Sequence, residues 1–162
     1  MRFPTKWRIC LRMEQNTPTQ MVKADPASGI SSRQPAVARK FSTAPASEKT
    51  VALVRWLEEN KARNVVALDV SAFSQCMDMV IVLTASSQRH ARSLADGLLE
   101  ECSKLNYEFL RMEGYQAAQW ILADLNDIVI HIFQQDTRDL FRIESLWKQA
   151  PVVHGALPGA GD

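Results

Sequence analysis

Two apolar runs separated by a two-residue turn constrain this chain most. Trp120 to Leu125 (WILADL) and Ile128 to Phe133 (IVIHIF) flank Asn126-Asp127. Asn and Asp tolerate the positive φ of tight turns and bond their own backbone, so the spacing predicts an antiparallel hairpin. Side chains alternate along a strand, which puts Trp120, Leu122 and Asp124 on one face and Ile121, Ala123 and Leu125 on the other. Both faces begin apolar. The hairpin therefore needs cover on two sides, from a helix or from a partner.

The rest of the chain supplies strands and helices in alternation. Val65 to Val70 reads as a buried strand, Asp78 to Thr84 (DMVIVLT) as a second, and Tyr107 to Met112 as a third. Ser47 is placed to cap a helix carrying Val51, Val54 and Leu57. Ser86 or Ser87 is placed to cap another, with Ala91, Leu94, Ala95, Leu98 and Cys102 as its inner stripe and Asn106 as its stop. A last helix is expected from about Thr137 to Gln149, with Leu140, Ile143 and Trp147 inward and Pro151 ending it. At 162 residues the chain suits one domain. This order predicts a single α/β domain over 48–150, built as a mixed β-sheet flanked by helices, with a flexible tail over 151–162.

Residues 1–47 lack sustained periodicity and are rich in Ser, Thr, Pro, Gln and Ala, which predicts a disordered extension. They carry a net charge of +6, whereas residues 48–162 carry −5. A basic, hydroxyl-rich N-terminus also fits an organellar transit peptide, with Arg39-Lys40-Phe41-Ser42 as its processing site. The other readings are a tail or a start codon placed too far upstream of Met13 or Met21. An acidic folded part repels RNA phosphates, so no direct nucleic-acid specificity is expected, and a basic protein is the better partner. No run of about 18 apolar residues occurs, and no transmembrane helix is expected. Cys10, Cys76 and Cys102 form no C-x-x-C pair, and the three histidines are scattered. Free thiols, no metal and no cofactor are the expectation.

Asp69-Val70, Asp78, Thr84, Ser87-x-Arg89-His90 and Ala95-Asp96 make one ordered set. Glu113-Gly114, Trp120, Asp124-x-x-Asp127, His131, Arg138, Phe141, Glu144 and Leu146-Trp147 make a second. Together, over about residues 50–148, they resemble the Iojap and ribosomal silencing factor family. Asn126 stands where that family often has Gly, and Phe141 where many members have Tyr. The resemblance implies a nucleotidyltransferase-like sheet and no enzymatic activity. It implies binding to the large ribosomal subunit through universal large-subunit ribosomal protein fourteen, blocked association with the small subunit, and repressed translation. Organellar relatives are associated with large-subunit assembly, which is the alternative reading. A bacterial cytoplasmic location is expected, or a mitochondrial or plastid one if the N-terminus is a transit peptide.

The residues themselves point to an interface on the hairpin. Trp120 beside carboxylates is a suitable anchor for a basic protein, against the plainer reading of a Trp packed under the last helix. Leu122 shares its face, and Asp124 and Asp127 are placed to receive Lys or Arg or simply to cap the turn. Phe141 falls off the inner stripe of the expected last helix, which favours contact with a partner. An apolar second face also allows a homodimer when the protein is free. His131 reads as a core histidine, because no nucleophile stands beside it. Arg89-His90 opposes the dipole of its helix and invites an anion or a structural bridge to Asp69 or Asp78, of which the bridge is the expectation. An enzyme of nucleotidyltransferase type would use Thr84-Ala85-Ser86-Ser87 as a phosphate turn, but the paired carboxylates it needs do not follow.

Overall fold

The structure, a computed structural model, describes residues 41–157. The readings of residues 1–40 as disordered extension or transit peptide, and of 158–162 as tail, lie outside the described residues. Within them the elements are α1 (Ala46–Glu59), β1 (Arg63–Asp69), β2 (Met79–Thr84), α2 (Gln88–Lys104) and β3 (Arg111–Glu113). They continue as β4 (Trp120–Asp124), β5 (Ile128–Phe133), α3 (Gln135–Phe141), a 3₁₀ turn (Ile143–Trp147) and β6 (Val152–His154). The strands form one mixed sheet in the order β3-β4-β5-β2-β1-β6. Only β2 and β5 run parallel; the other neighbours are antiparallel.

The hairpin forms as its sequence requires. Trp120 pairs with Phe133 and Asp124 with Val129, and Asn126 takes the positive φ of 74° that its side chain tolerates. Ile121, Ala123 and Leu125 join Ile81, Leu83, Ile130 and Ile132 on the face that α1 and α2 cover. Ala91, Leu94, Ala95, Leu98 and Cys102 are the buried stripe of α2, and Ser87 caps it by accepting from the His90 amide. Each Leu or Ile sunk into this layer contributes about 1.5–3 kcal/mol. Burial pushes the Cys102 thiol up to about 12, so it packs as a small hydrophobe.

Four expectations change. Ser47 does not cap α1: cap and helix start lie two residues earlier, with Pro45 in the capping position and its carbonyl accepting from Lys49. Val51 is 63% exposed, because the buried stripe is Lys49, Thr50, Leu53, Val54 and Leu57. The third strand is shorter than expected, and residues 107–110 approach the sheet as a connection. The expected last helix is broken. Arg142 adopts φ 42°, dividing α3 from the 3₁₀ turn.

That break has a physical partner. Residues six apart in a continuous helix point to different sides, but here Arg138 Nε donates to Glu144 Oε1 at 2.7 Å with both side chains buried. Arg138 Nη1 also donates to the Asn64 carbonyl at 2.7 Å and to Thr84 Oγ1 at 2.8 Å. Asn64 has φ 48° and sits where the β1–β2 register shifts. One guanidinium thus joins a bulge in β1, the end of β2 and the 3₁₀ turn.

The segment after Pro151, expected to be flexible, carries β6 along the outer edge of β1. Ala67 pairs with His154 and Leu68 with Val152, and His154 Nε2 meets Glu58 Oε1 at 2.8 Å. Two consecutive valines are too short a run to announce a strand. Gly155 closes it at φ 80°, where a Cβ would stand 2.2 Å from the Val65 carbonyl oxygen. Gly155→Ala is therefore expected to lower stability by about 1–3 kcal/mol, from αL strain and that clash. Urea denaturation checks this; an unchanged midpoint at unchanged slope would count against the docked strand.

Candidate interaction surface

On the face away from α1 and α2, cross-strand registry builds two apolar rows and a charged edge. Trp120, Phe133 and Thr84 lie in one row, and Leu122, His131 and Val82 in the next. At the edge, Asp124 stands opposite Arg111 and Leu122 opposite Glu113. Arg111 Nε lies 3.4 Å from Asp124 Oδ2 and 3.5 Å from Glu113 Oε1.

Trp120 is half-buried at the head of β4. Its ring stacks on Phe133 at 4.9 Å and meets Phe141 at 5.2 Å, spacings at which aromatic pairs attract. Its indole N–H donates to His131 Nδ1 at 3.1 Å. Nδ1 is thereby the acceptor, so the proton of the neutral imidazole sits on Nε2. His131 is wholly buried, and burial pushes it down to about 3. It is a core histidine.

The five residues singled out in the sequence fall into different settings. Trp120 and Phe141 come together as one half-buried aromatic cluster. Leu122 and Asp124 are each 1% exposed, Leu122 in the next row of the sheet and Asp124 at the far end of β4. Asp124 accepts from the Asn126 amide, and its neighbour Asn126 donates to Glu108. Asp127 pairs with Lys49 Nζ at 2.7 Å, while its carbonyl accepts from the Asp78 and Met79 amides. The turn is thus tied to α1 and to the start of β2. Of the three residues expected inward on the last helix, Ile143 and Trp147 are buried, whereas Leu140 is 76% exposed. Leu140, next to Phe141 in the chain, and Leu146 on the 3₁₀ turn are exposed apolar side chains.

Sequence reasoning missed Lys49, whose only signal is a cation on the inner stripe of a helix. It also missed the loop Gly114–Gln119 that delivers Trp120, where Arg92 donates to the Tyr115 and Gln116 carbonyls. The expected bridge from Arg89-His90 to Asp69 or Asp78 does not form. His90 Nδ1 instead accepts from the Ser86 amide at 3.1 Å, and Nε2 lies 3.0 Å from the Asn60 carbonyl. Asp69 is occupied by Ser71, whose hydroxyl and amide hold the carboxyl below its usual range. The Thr84–Ser87 segment is filled by the chain's own groups, with Thr84 and Ala85 each 3% exposed. Among the described residues no group of three His, Cys, Asp or Glu is placed to hold a metal, and no helix is long and apolar enough to cross a membrane.

Comparison with known proteins gives the family and the fold. Residues 43–160 match the family described as ribosomal silencing factor during starvation. The chain is 37% identical over 101 residues to ribosomal silencing factor RsfS of Haemophilus influenzae, covering 60% of this chain and 99% of that one. It is 34% identical to the RsfS of Halalkalibacterium halodurans, over 62% of this chain and 86% of that one. A protein of mouse named for mitochondrial assembly of the ribosomal large subunit is 26% identical, over 59% of this chain and 43% of its own length. A crystal structure of a Chromobacterium violaceum protein superposes with a TM-score of 0.63 at 27% identity, covering 73% of this chain and 98% of that one.

Proposed function

The chain belongs to the ribosomal silencing factor family, and on that premise we propose that it binds the large ribosomal subunit and represses translation by blocking union with the small one. The partner on the subunit is universal large-subunit ribosomal protein fourteen, and no catalytic step is involved. The observation that carries this reading is the half-buried Trp120–Phe141 cluster, flanked by exposed Leu140 on a fold whose residues 48–162 carry a net charge of −5. An aromatic pair fixed by stacking loses little side-chain freedom on docking, and a negative field favours a basic partner. Leu122 lies in the row next to the anchor, and Asp124 and Asp127 hold the turn end of the hairpin. The bacterial relatives favour a cytoplasmic setting.

A second reading is assistance in assembling the large subunit, favoured by the mouse relative's name. The same surface serves either role. Sedimentation of purified subunits at joining magnesium, with and without the protein, tests the first. The wild type should travel with the large subunit and deplete joined ribosomes. Trp120→Ala should weaken that binding by roughly 30-fold or more, the scale of an interface hot spot. Trp120→Phe, which keeps a stacked ring, controls for folding. A wild-type protein that stays at the top of the gradient while joining proceeds normally removes the silencing reading. Binding confined to immature large subunits moves the role to assembly.

A further inference from the structure

The loop that delivers Trp120 is costly in its own conformation. Gly114 stands at φ 79°, and a Cβ there would lie 2.0 Å from the Trp120 carbonyl oxygen. Ala118, which has a Cβ, is fully buried at φ 50°. Left-handed residues persist only where the surroundings hold them. Inside the loop, the Ala118 amide bonds the Gly114 carbonyl at 3.0 Å. At its exit, the Gln134 amide bonds the Gln119 carbonyl at 2.9 Å.

Thr137 Oγ1 of α3 reaches Gln119 Oε1 at 3.5 Å, and a further hold comes from α2. Arg92 and Asp96 stand one helical turn apart, hence on one side of the helix. Arg92 Nε donates to the Tyr115 carbonyl at 3.2 Å, and its Nη2 to the Gln116 carbonyl at 2.6 Å. The Tyr115 hydroxyl donates to Asp96 Oδ2 at 2.8 Å. A planar guanidinium spanning two successive carbonyls fixes the direction of that backbone, which a single ammonium does not. Four residues later the chain is Trp120.

We propose that Arg92 and Asp96 are positioning residues for Trp120: by clamping the Gly114–Gln119 loop to α2 they set the pose of the aromatic anchor. Helix α2 covers the sheet face that holds Ile121, whereas the Trp120 side chain belongs to the opposite face. The clamp therefore acts through the backbone and not as a second patch beside the anchor. Its consequence for ribosome binding rests on the docking reading; its consequence for Trp120 does not.

The Trp120 indole N–H, bonded to His131, reports the pose directly. Its signal in a ¹H–¹⁵N spectrum is identified by its loss in Trp120→Phe. In Arg92→Leu that signal should shift and exchange with solvent roughly tenfold faster, about the effect of one lost hydrogen bond on local opening. The Trp147 indole should not change. Arg92→Lys, which restores one carbonyl contact, should fall between, and Tyr115→Phe should reproduce the smaller part owed to Asp96.

On the large subunit, Arg92→Leu should weaken binding roughly tenfold in the wild-type background. It should have no further effect in Trp120→Ala, because two changes acting through one group do not add. An unmoved Trp120 indole in Arg92→Leu overturns the proposal. So does an equal change at Trp147, which would mean general loosening, or a full additive loss in the Trp120→Ala background. If the indole moves as expected while Trp120→Ala binds like wild type, the clamp stands and the docking reading fails. If Trp120→Ala binds weakly and the indole is unmoved, the docking reading stands and the clamp fails.

Discussion

Arg138→Met should destabilise the domain by about 3–5 kcal/mol, the usual result of removing one member of a buried ion pair. Side-chain exposure is 5% for Arg138 and 4% for Glu144, so the carboxylate left behind has no water to turn to. The same substitution strips the Asn64 carbonyl and Thr84 hydroxyl of their donor. For a domain of about 100 residues each kcal/mol moves the melting midpoint by about 4–8 °C, so a fall of roughly 15–30 °C is expected by calorimetry. The double variant Arg138→Met, Glu144→Met should recover much of that loss, since two apolar groups leave no isolated charge. It should not recover all of it, because Asn64 and Thr84 remain undonated. A single variant melting within a few degrees of wild type would mean that Glu144 finds another partner and that the pair does not organise the break at Arg142. A single and a double variant that melt alike would place the cost in the bulge and not in the carboxylate.

That pair also marks where the sequence stops being readable. A period-two pattern over Trp120–Phe133 decides which side chains share a face, and the structure keeps those faces because a one-residue slip would turn every apolar group around. The stripe of α2 is legible for the same reason at helical period. The last helix was not. Leu140, Ile143 and Trp147 have helical spacing, so local pattern favours continuity. A long-range demand, Glu144 reaching back to Arg138 while Arg138 holds Asn64 and Thr84, outweighs it. Nothing in a window of sequence reports a partner 74 residues away. The surface inherits this limit. Trp120 and Phe141 could each be singled out, but their contact joins two elements that no local pattern relates. Lys49 and β6 escaped for similar reasons: the first is met by Asp127 and the Tyr107 ring, the second by the edge of β1.

The acid limb of the stability curve should belong largely to His131. The imidazole is neutral in the fold, with burial holding it down to about 3 against an ordinary value near 6.5. A base whose folded value is depressed binds its proton in the unfolded chain first. Its contribution is therefore complete above about pH 6.5 and falls as the pH drops towards 3. Over that window the loss is on the order of 5 kcal/mol, at about 1.4 kcal/mol for each pH unit. Protonation would also fall on Nδ1, the atom that accepts from the Trp120 indole, so that hydrogen bond is lost in the same event. His131→Gln offers a neutral acceptor that does not titrate. Denaturation at pH 7 and at pH 4 should show wild type losing more stability than His131→Gln by roughly 3 kcal/mol, with the variant less stable than wild type at pH 7. The carboxylates titrate alike in both proteins, so the difference isolates the imidazole. Equal losses in the two would mean that the imidazole is charged or hydrated in the fold. In the expected case, the acid-labile step and the pose of Trp120 share one atom, and acid should release the protein from the large subunit over the same window in which it begins to unfold.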